Sequence, residues 1–165
     1  QLNRGTRFIA TIYLKLAGEE DTGERSQNGN TPRTPASFPP GTCVLLAEDN
    51  ELNRQIAVEM LELLGVQAEV VEDGKQAVEA VLTHAPLYYD IVFMDIQMPL
   101  MDGYQATRRI RAMNRPDAAT IPIVAMTANA FTEDIKLAMD AGMNQHMAKP
   151  IDIRQLETIL YRWLG

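Results

Sequence analysis

From residue 42 onward, short apolar runs alternate with longer stretches in which apolar residues recur every three or four positions. Continuous apolar runs are typical of strands buried on both faces, and the wider spacing is typical of amphipathic helices. This pattern predicts five repeats of a strand followed by a helix. The predicted strands are 43–48, 68–72, 90–95, 121–127 and 145–149, and the predicted helices are 50–64, 74–83, 103–113, 131–141 and 153–164.

Strands that alternate with helices form a parallel sheet with helices on both faces. About 120 residues in five units are too few for an eight-fold barrel, which needs roughly 250 residues. The sequence therefore predicts the α/β class, as a doubly wound open sheet of five parallel strands. Ligands of such sheets bind at the carboxyl ends of the strands.

The first 41 residues have a different pattern. Within residues 1–18, the stretch RFIATIYLKL is rich in β-branched and aromatic residues and predicts one strand. Residues 19–41 are polar and rich in Gly, Pro, Ser, Thr and Asn, which predicts a flexible linker that only Phe38 could anchor. An alternative is that this whole region is largely disordered. Because the chain does not begin with Met, we expect it to be a fragment of a longer protein.

Composition and charge exclude several classes of function. The formal net charge is −7, and the acidic excess lies beyond residue 41, which does not favour nucleic-acid binding. No apolar run is long enough for a transmembrane helix, so we expect no membrane contact by this fragment. The single cysteine, Cys43, cannot form an internal disulfide, which fits a cytoplasmic location.

Polar side chains stand at the carboxyl ends of four predicted strands: Glu48 and Asp49, Asp95, Thr127, and Lys149. Oxygen-only ligands suit a hard cation such as Mg²⁺, and no His or Cys is placed there to form a zinc site. A carboxylate beside Mg²⁺ can attack a phosphoryl group and carry it as an acyl phosphate. The lysine and the threonine hydroxyl would then stabilise the transferred group.

Each of these residues also has an ordinary interpretation. Glu48 and Asp49 could cap the following helix, and Asp95 could be a solvated loop acid. Thr127 could be an ordinary threonine at a strand end, and Lys149 could be a surface lysine. Their occurrence together at successive strand ends favours a common site. Four methionines near these strand ends are better explained as packing residues than as metal ligands: Met94, Met98, Met101 and Met126.

Four segments resemble, in identity, order and spacing, the motifs of the receiver domain of two-component response regulators. The resemblance covers residues 42–165 and implies a flavodoxin-like sheet with strand order 2-1-3-4-5. It also implies a phosphoacceptor function in a phosphorelay. The matching segments are LLAEDNELNR (45–54), DIQMPLMDG (95–103), MTANA (126–130) and HMAKP (146–150).

The resemblance implies a role for each site residue. Asp95 matches the phosphoacceptor. Asp49 matches the acid that ligates Mg²⁺ directly, Glu48 matches its neighbour that acts partly through water, and the backbone carbonyl of Gln97 matches the third protein ligand.

Three further roles follow from the same resemblance. Thr127 matches the hydroxyl that closes on the phosphoryl group, and Lys149 matches the lysine that pairs with it. The Lys149–Pro150 bond matches a peptide bond that is usually cis in the family. His146 departs from the family, which usually has a switch aromatic there. It could still swing inward on phosphorylation, or it could be merely a half-exposed strand residue.

The segment GTRFIATIYLKL (5–16) looks like the end of a histidine-kinase ATP-binding domain. The expected parent is a hybrid sensor histidine kinase, which could be anchored in the inner membrane. The expected partners are a histidine kinase domain that donates the phosphoryl group and a histidine phosphotransfer protein that receives it. Without the ATP site, this fragment would act as an acceptor with self-dephosphorylation, so its status as an enzyme stays open.

Two other functions are compatible with this sequence. One is a protein-interaction module that has lost phosphorylation, but its expected marker, loss of Asp95 or Lys149, is not present. The other is a hydrolase that uses an aspartyl phosphate. That chemistry usually has a second aspartate two residues after the nucleophile, where this chain has Gln97.

Overall fold

The computed structural model describes residues 38–128 and 131–165. The strand predicted within residues 1–18 and most of the predicted linker lie outside the described residues. The strands are β1 (Cys43–Ala47), β2 (Gln67–Val71), β3 (Ile91–Asp95), β4 (Ile123–Thr127) and β5 (Gln145–Ala148). The helices are α1 (Glu51–Leu63), α2 (Gly74–Thr83), α3 (Gly103–Arg111), α4 (Thr132–Asp140) and α5 (Ile153–Leu164).

All five strands are parallel, and their order in the sheet is β2-β1-β3-β4-β5. The predicted class and strand order are therefore confirmed. The register pairs Asp95 of β3 with Met126 of β4, and Thr127 of β4 with Ala148 of β5. These pairings bring the carboxyl ends of the central strands to one edge of the sheet.

The core has two layers because successive strand residues point to opposite faces of the sheet. On one face, Leu45, Val92 and Met94 pack with residues of α2 and α3. On the other face, Leu46 and Phe93 pack with residues of α1 and α5. All residues of β3 and β4 are buried, which explains why both strands are almost continuously apolar in sequence.

The bounds of each element lie within two residues of the prediction. Strand β4 begins at Ile123 rather than at residue 121, and Pro122, which has no N–H to donate, precedes it. Side chains of Asn50, Asp73 and Asp102 accept hydrogen bonds from backbone N–H groups in the first turns of α1, α2 and α3. These caps fix where each helix begins.

The buried face of α1 differs from its most apolar stripe in the sequence. Leu52 and Leu63 are 65% and 73% exposed, whereas Ala57 and Leu61 are buried against the sheet. A residue as small as alanine on the buried face allows the helix to lie near the strands. Leu52, Ile56 and Leu63 are exposed, whereas Met60 packs against the core and Leu64, which follows α1, is buried.

Phe38 is buried and packs in the same layer as α1 and α5. Its ring centroid lies 5.1 Å from that of Tyr161 on α5. The residue expected to anchor the linker thus contacts the receiver-like sheet-and-helix unit. Among the described residues, no helix has the length and apolar character required to span a membrane.

Candidate functional site

The residues expected to form a site lie at the carboxyl edge of the sheet. Asp95 is the last residue of β3 and Thr127 the last of β4, while Glu48 and Lys149 directly follow β1 and β5. The backbone N–H of Lys149 donates to the carbonyl of Thr127 at 2.8 Å, which ties these two strand ends together. The fold therefore brings the predicted site residues to one place.

Three carboxylates form the centre of the site. Glu48, Asp49 and Asp95 each offer an oxygen, and these oxygens all lie within 4.8 Å of one another. Glu48 and Asp95 are buried, whereas Asp49 is exposed. Because the donor set consists only of oxygens and opens to solvent through Asp49, it fits a hard divalent cation such as Mg²⁺.

Lys149 bridges the two buried carboxylates. Its Nζ lies 2.6 Å from Glu48 Oε2 and 2.7 Å from Asp95 Oδ2. Burial raises the pKa of Asp95 above its ordinary value, and the hydrogen bond from Lys149 opposes that rise. Burial alone would lower the pKa of Lys149, but its contacts with Asp95 and Glu48 outweigh burial and raise it. Lys149 is therefore held as a cation between the acids.

Glu48 is held on both of its carboxylate oxygens. Oε1 accepts hydrogen bonds from Asn53 Nδ2 at 3.0 Å and from the backbone N–H of Asn50 at 3.3 Å, while Oε2 faces Lys149. The helix-capping alternative for Glu48 and Asp49 is wrong, because the side chain that caps α1 is Asn50.

Asp95 has a different set of contacts. Its Oδ1 accepts a hydrogen bond from the backbone N–H of Gln97 at 3.2 Å, and its Oδ2 pairs with Lys149. The side chain of Gln97 is exposed, and the role of its carbonyl as a metal ligand stays a prediction. Thr127 is buried at the end of β4. The Lys149–Pro150 peptide bond is cis.

His146 lies on β5, at the edge of the sheet, and is half-buried. This position is compatible with both interpretations of the residue, and its switching role stays a prediction.

Two glycines hold the loop that follows Asp95. A Cβ on Gly103 would lie 2.2 Å from the carbonyl oxygen of Asp95, and a Cβ on Gly74 would lie 2.4 Å from that of Met101. The Gly74 N–H donates to the carbonyl of Met101 at 3.1 Å. The loop after β3 is therefore packed closely against the starts of α2 and α3. A Cβ atom at position 74 or 103 would not fit into this packing.

The predictions from sequence missed two contributors, Asn53 and Arg54. Asn53 holds the Glu48 carboxylate, and Arg54 donates to the backbone carbonyls of Glu48 and Asp49. Both residues lie within the segment LLAEDNELNR. Their positions five and six residues after Glu48 were the available signal, because side chains in the first turn of a helix can form hydrogen bonds with residues that precede the helix.

Exposed apolar side chains are present on the elements that surround the acids. Leu52 and Ile56 lie on α1, Leu100 lies in the loop after β3, and Phe131 immediately precedes α4. Leu100 and Phe131 are 86% and 69% exposed.

Comparisons with known proteins agree with this architecture. The family described as "Response regulator receiver domain" matches residues 44–161. Hybrid signal transduction histidine kinase K of Dictyostelium discoideum is 34% identical over 157 residues, which cover 92% of this chain and 13% of that protein. The chain spans 7% to 13% of the length of four curated relatives that it matches.

Two solved structures are similar to this chain. One is the receiver domain of the sensor histidine kinase PA1611 from Pseudomonas aeruginosa, with a magnesium ion coordinated in its active-site cleft. The TM-score is 0.69 at 42% identity, covering 76% of this chain and 98% of that one. The other is in a co-crystal of the Saccharomyces cerevisiae phosphotransfer protein Ypd1 with the receiver domain of Ssk1. Its TM-score is 0.69 at 27% identity, covering 78% of this chain and 91% of that one.

Proposed function

This chain belongs to the response regulator receiver family, and we propose that Asp95 is the residue on which it accepts a phosphoryl group. The chain is a receiver domain of two-component phosphorelay signalling. The observation that supports the assignment of Asp95 is its position within the site. Asp95 ends β3, its Oδ2 lies 2.7 Å from Lys149 Nζ, and it belongs to the cluster of three acids whose oxygens lie within 4.8 Å of one another.

We expect the donor to be a phosphohistidine. An Asp95 carboxylate oxygen attacks phosphorus, the O–P bond forms, and the P–N bond to the donor imidazole breaks. The imidazole keeps the electron pair of that bond and leaves as a neutral ring if its other nitrogen carries a proton. The product is an acyl phosphate on Asp95, which water can later hydrolyse.

The residues of the site supply positive charge and hydrogen bonds to the transferred group. The Lys149 ammonium lies 2.7 Å from Asp95, so it can form an ion pair with the phosphoryl oxygens once they are bonded to Asp95. The Thr127 hydroxyl can donate a hydrogen bond to the same group. Mg²⁺, held by Asp49, Asp95, the Gln97 carbonyl and partly through Glu48, would neutralise the remaining phosphoryl charge when bound.

We further propose that the partners are a histidine kinase domain and a histidine phosphotransfer protein. The hybrid kinase relative and the Ypd1 co-crystal support this assignment. The exposed Leu52 and Ile56 on α1 and Leu100 in the loop after β3 are apolar side chains that such a partner could contact. We expect this domain to be part of a longer hybrid sensor histidine kinase and to act in the cytoplasm. His146 is the expected switch residue, and it lies on β5, which pairs with the strand that carries Thr127.

The experiment is intact-protein mass spectrometry after incubation with acetyl phosphate, with and without Mg²⁺. We expect one Mg²⁺-dependent phosphoryl adduct on the wild type and none on Asp95→Asn. Asp140→Asn, which removes an exposed carboxylate on α4, is the matched control and should be phosphorylated like the wild type. An adduct on Asp95→Asn would contradict the assignment. A folded wild type that accepts phosphoryl neither from acetyl phosphate nor from a phosphorylated kinase domain would favour a pure interaction module.

A further inference from the structure

Arg54, near the start of α1, contacts the turn that carries two of the acids. Its Nη1 donates to the backbone carbonyls of Glu48 at 3.1 Å and Asp49 at 2.8 Å. Its Nη2 donates to Glu72 Oε1 at 3.0 Å. The guanidinium therefore links two successive peptide groups of the β1–α1 turn to the residue that follows β2.

The two acids of this turn are positioned in different ways. Glu48 is held through its own carboxylate, by Asn53 and Lys149. By contrast, among residues 38–128 and 131–165 no hydrogen bond or ion pair reaches the side chain of Asp49. Its carboxylate is directed by the backbone beneath it, and that backbone is what Arg54 contacts.

The chemistry of arginine suits this task. A guanidinium is planar and always charged, and it presents its donors in a fixed fork, so two carbonyls bound to it are fixed relative to each other. The ion pair with Glu72 contributes little by itself, because the Glu72 side chain is 64% exposed. The bonds to the carbonyls, made by a side chain only 16% exposed, are the ones that should hold the turn.

We propose that Arg54 is a positioning residue for the metal site, because it fixes the carbonyls of residues 48 and 49 and thereby holds the Asp49 carboxylate where a divalent cation can bind. This role rests on the Mg²⁺ site of the proposed function. Arg54 contacts Glu48 and Asp49 through their backbone carbonyls rather than through the carboxylates that would hold the metal. Its loss should therefore weaken Mg²⁺ binding while leaving phosphoryl transfer intact once Mg²⁺ is saturating.

The test is isothermal titration of Mg²⁺ into the full chain, for the wild type, Arg54→Ala, Arg54→Lys and Arg109→Ala. Mutation of a residue that orients a metal ligand typically lowers metal affinity by at least about tenfold. We therefore expect Arg54→Ala to bind Mg²⁺ about tenfold more weakly than the wild type. Arg54→Lys should lose less, because an ammonium can donate to the carbonyls but cannot reproduce the fork. Arg109→Ala removes the same charge from an exposed position on α3 and should bind Mg²⁺ like the wild type.

Three readouts separate the possible outcomes. Weaker Mg²⁺ binding, with the acetyl phosphate reaction restored at saturating Mg²⁺, supports the proposal. Unchanged Mg²⁺ affinity in Arg54→Ala, with only a lower melting temperature, would show a merely structural role and overturn it. If Arg54→Ala does not fold, Arg54→Lys decides on the same criterion. No Mg²⁺ binding by the folded wild type would overturn the metal site itself, and with it this role.

Discussion

Replacement of Lys149 by Met would leave two buried carboxylates without their counter-charge. In the wild type, Lys149 Nζ lies 2.6 Å from Glu48 and 2.7 Å from Asp95, whose side chains are 0% and 5% exposed. Removing one partner of a buried ion pair typically costs about 3–5 kcal/mol. Since the Lys149 side chain is itself 18% exposed, we expect the lower end, about 3 kcal/mol at neutral pH.

The loss should depend on pH in a defined direction. Burial raises the pKa of Asp95 above 3.8, and Lys149 opposes that rise, so its removal raises this pKa further. An acid whose pKa is higher in the folded state stabilises the fold below its unfolded pKa, and this contribution disappears as pH rises through the folded pKa. The deficit of Lys149→Met should therefore be large at neutral pH and shrink as the solution becomes more acidic.

The assay is urea unfolding at neutral and acidic pH, with and without Mg²⁺. Mg²⁺ should recover part of the deficit, because the variant has three clustered carboxylates and no lysine to balance them. Lys136→Met, at an exposed position on α4, is the control and should lose little stability. A Lys149→Met protein as stable as the wild type at neutral pH, or a deficit that does not depend on pH, would refute this account of the site.

Three other predictions concern the surrounding structure. Gly103→Ala places a Cβ 2.2 Å from the Asp95 carbonyl oxygen, so it should lower both the melting temperature and the yield of phosphorylation by acetyl phosphate; unchanged values would contradict the close packing. Thr107→Val replaces a buried hydroxyl that has no partner among the described residues, so urea unfolding should find it neutral or about 1 kcal/mol more stable, and not destabilised. Asp117→Asn should be less stable at neutral pH. The hydrogen bond from Arg115 lowers the pKa of Asp117 from 3.8 to about 2. The wild type should therefore have the larger free energy of unfolding above pH 3.8, and unfolding measured at a series of pH values should show this difference disappear as the pH falls towards 2.

The sheet and the meeting of the acids could be predicted because both follow from short-range patterns. Apolar runs and helical spacing fix the five repeats, and parallel pairing then places Asp95, Thr127 and Lys149 at one edge. Their roles came from the match of whole segments to a family, which a single residue could not have provided.

Other features depend on contacts that no local pattern contains. The sequence does not indicate that Lys149 is shared between Glu48 and Asp95, because that contact joins residues far apart in the chain. The orientation of α1 was also hidden, because Ala57 is only weakly apolar and yet lies against the sheet, whereas Leu52 is strongly apolar and exposed. The contacts of Arg54 with two carbonyls depend on the backbone conformation of the β1–α1 turn, which no sequence pattern specifies.

In the proposed function, Asp95 carries the phosphoryl group. The most direct test is to phosphorylate the full chain with acetyl phosphate and Mg²⁺, reduce the acyl phosphate with borohydride, and locate the modified residue by peptide mass spectrometry. Reduction converts a phosphorylated aspartate to homoserine, so we expect homoserine at position 95 and unmodified side chains at positions 48 and 49. Reduction at Asp49 or Glu48, with Asp95 unmodified, would contradict the assignment of Asp95 as the phosphoacceptor.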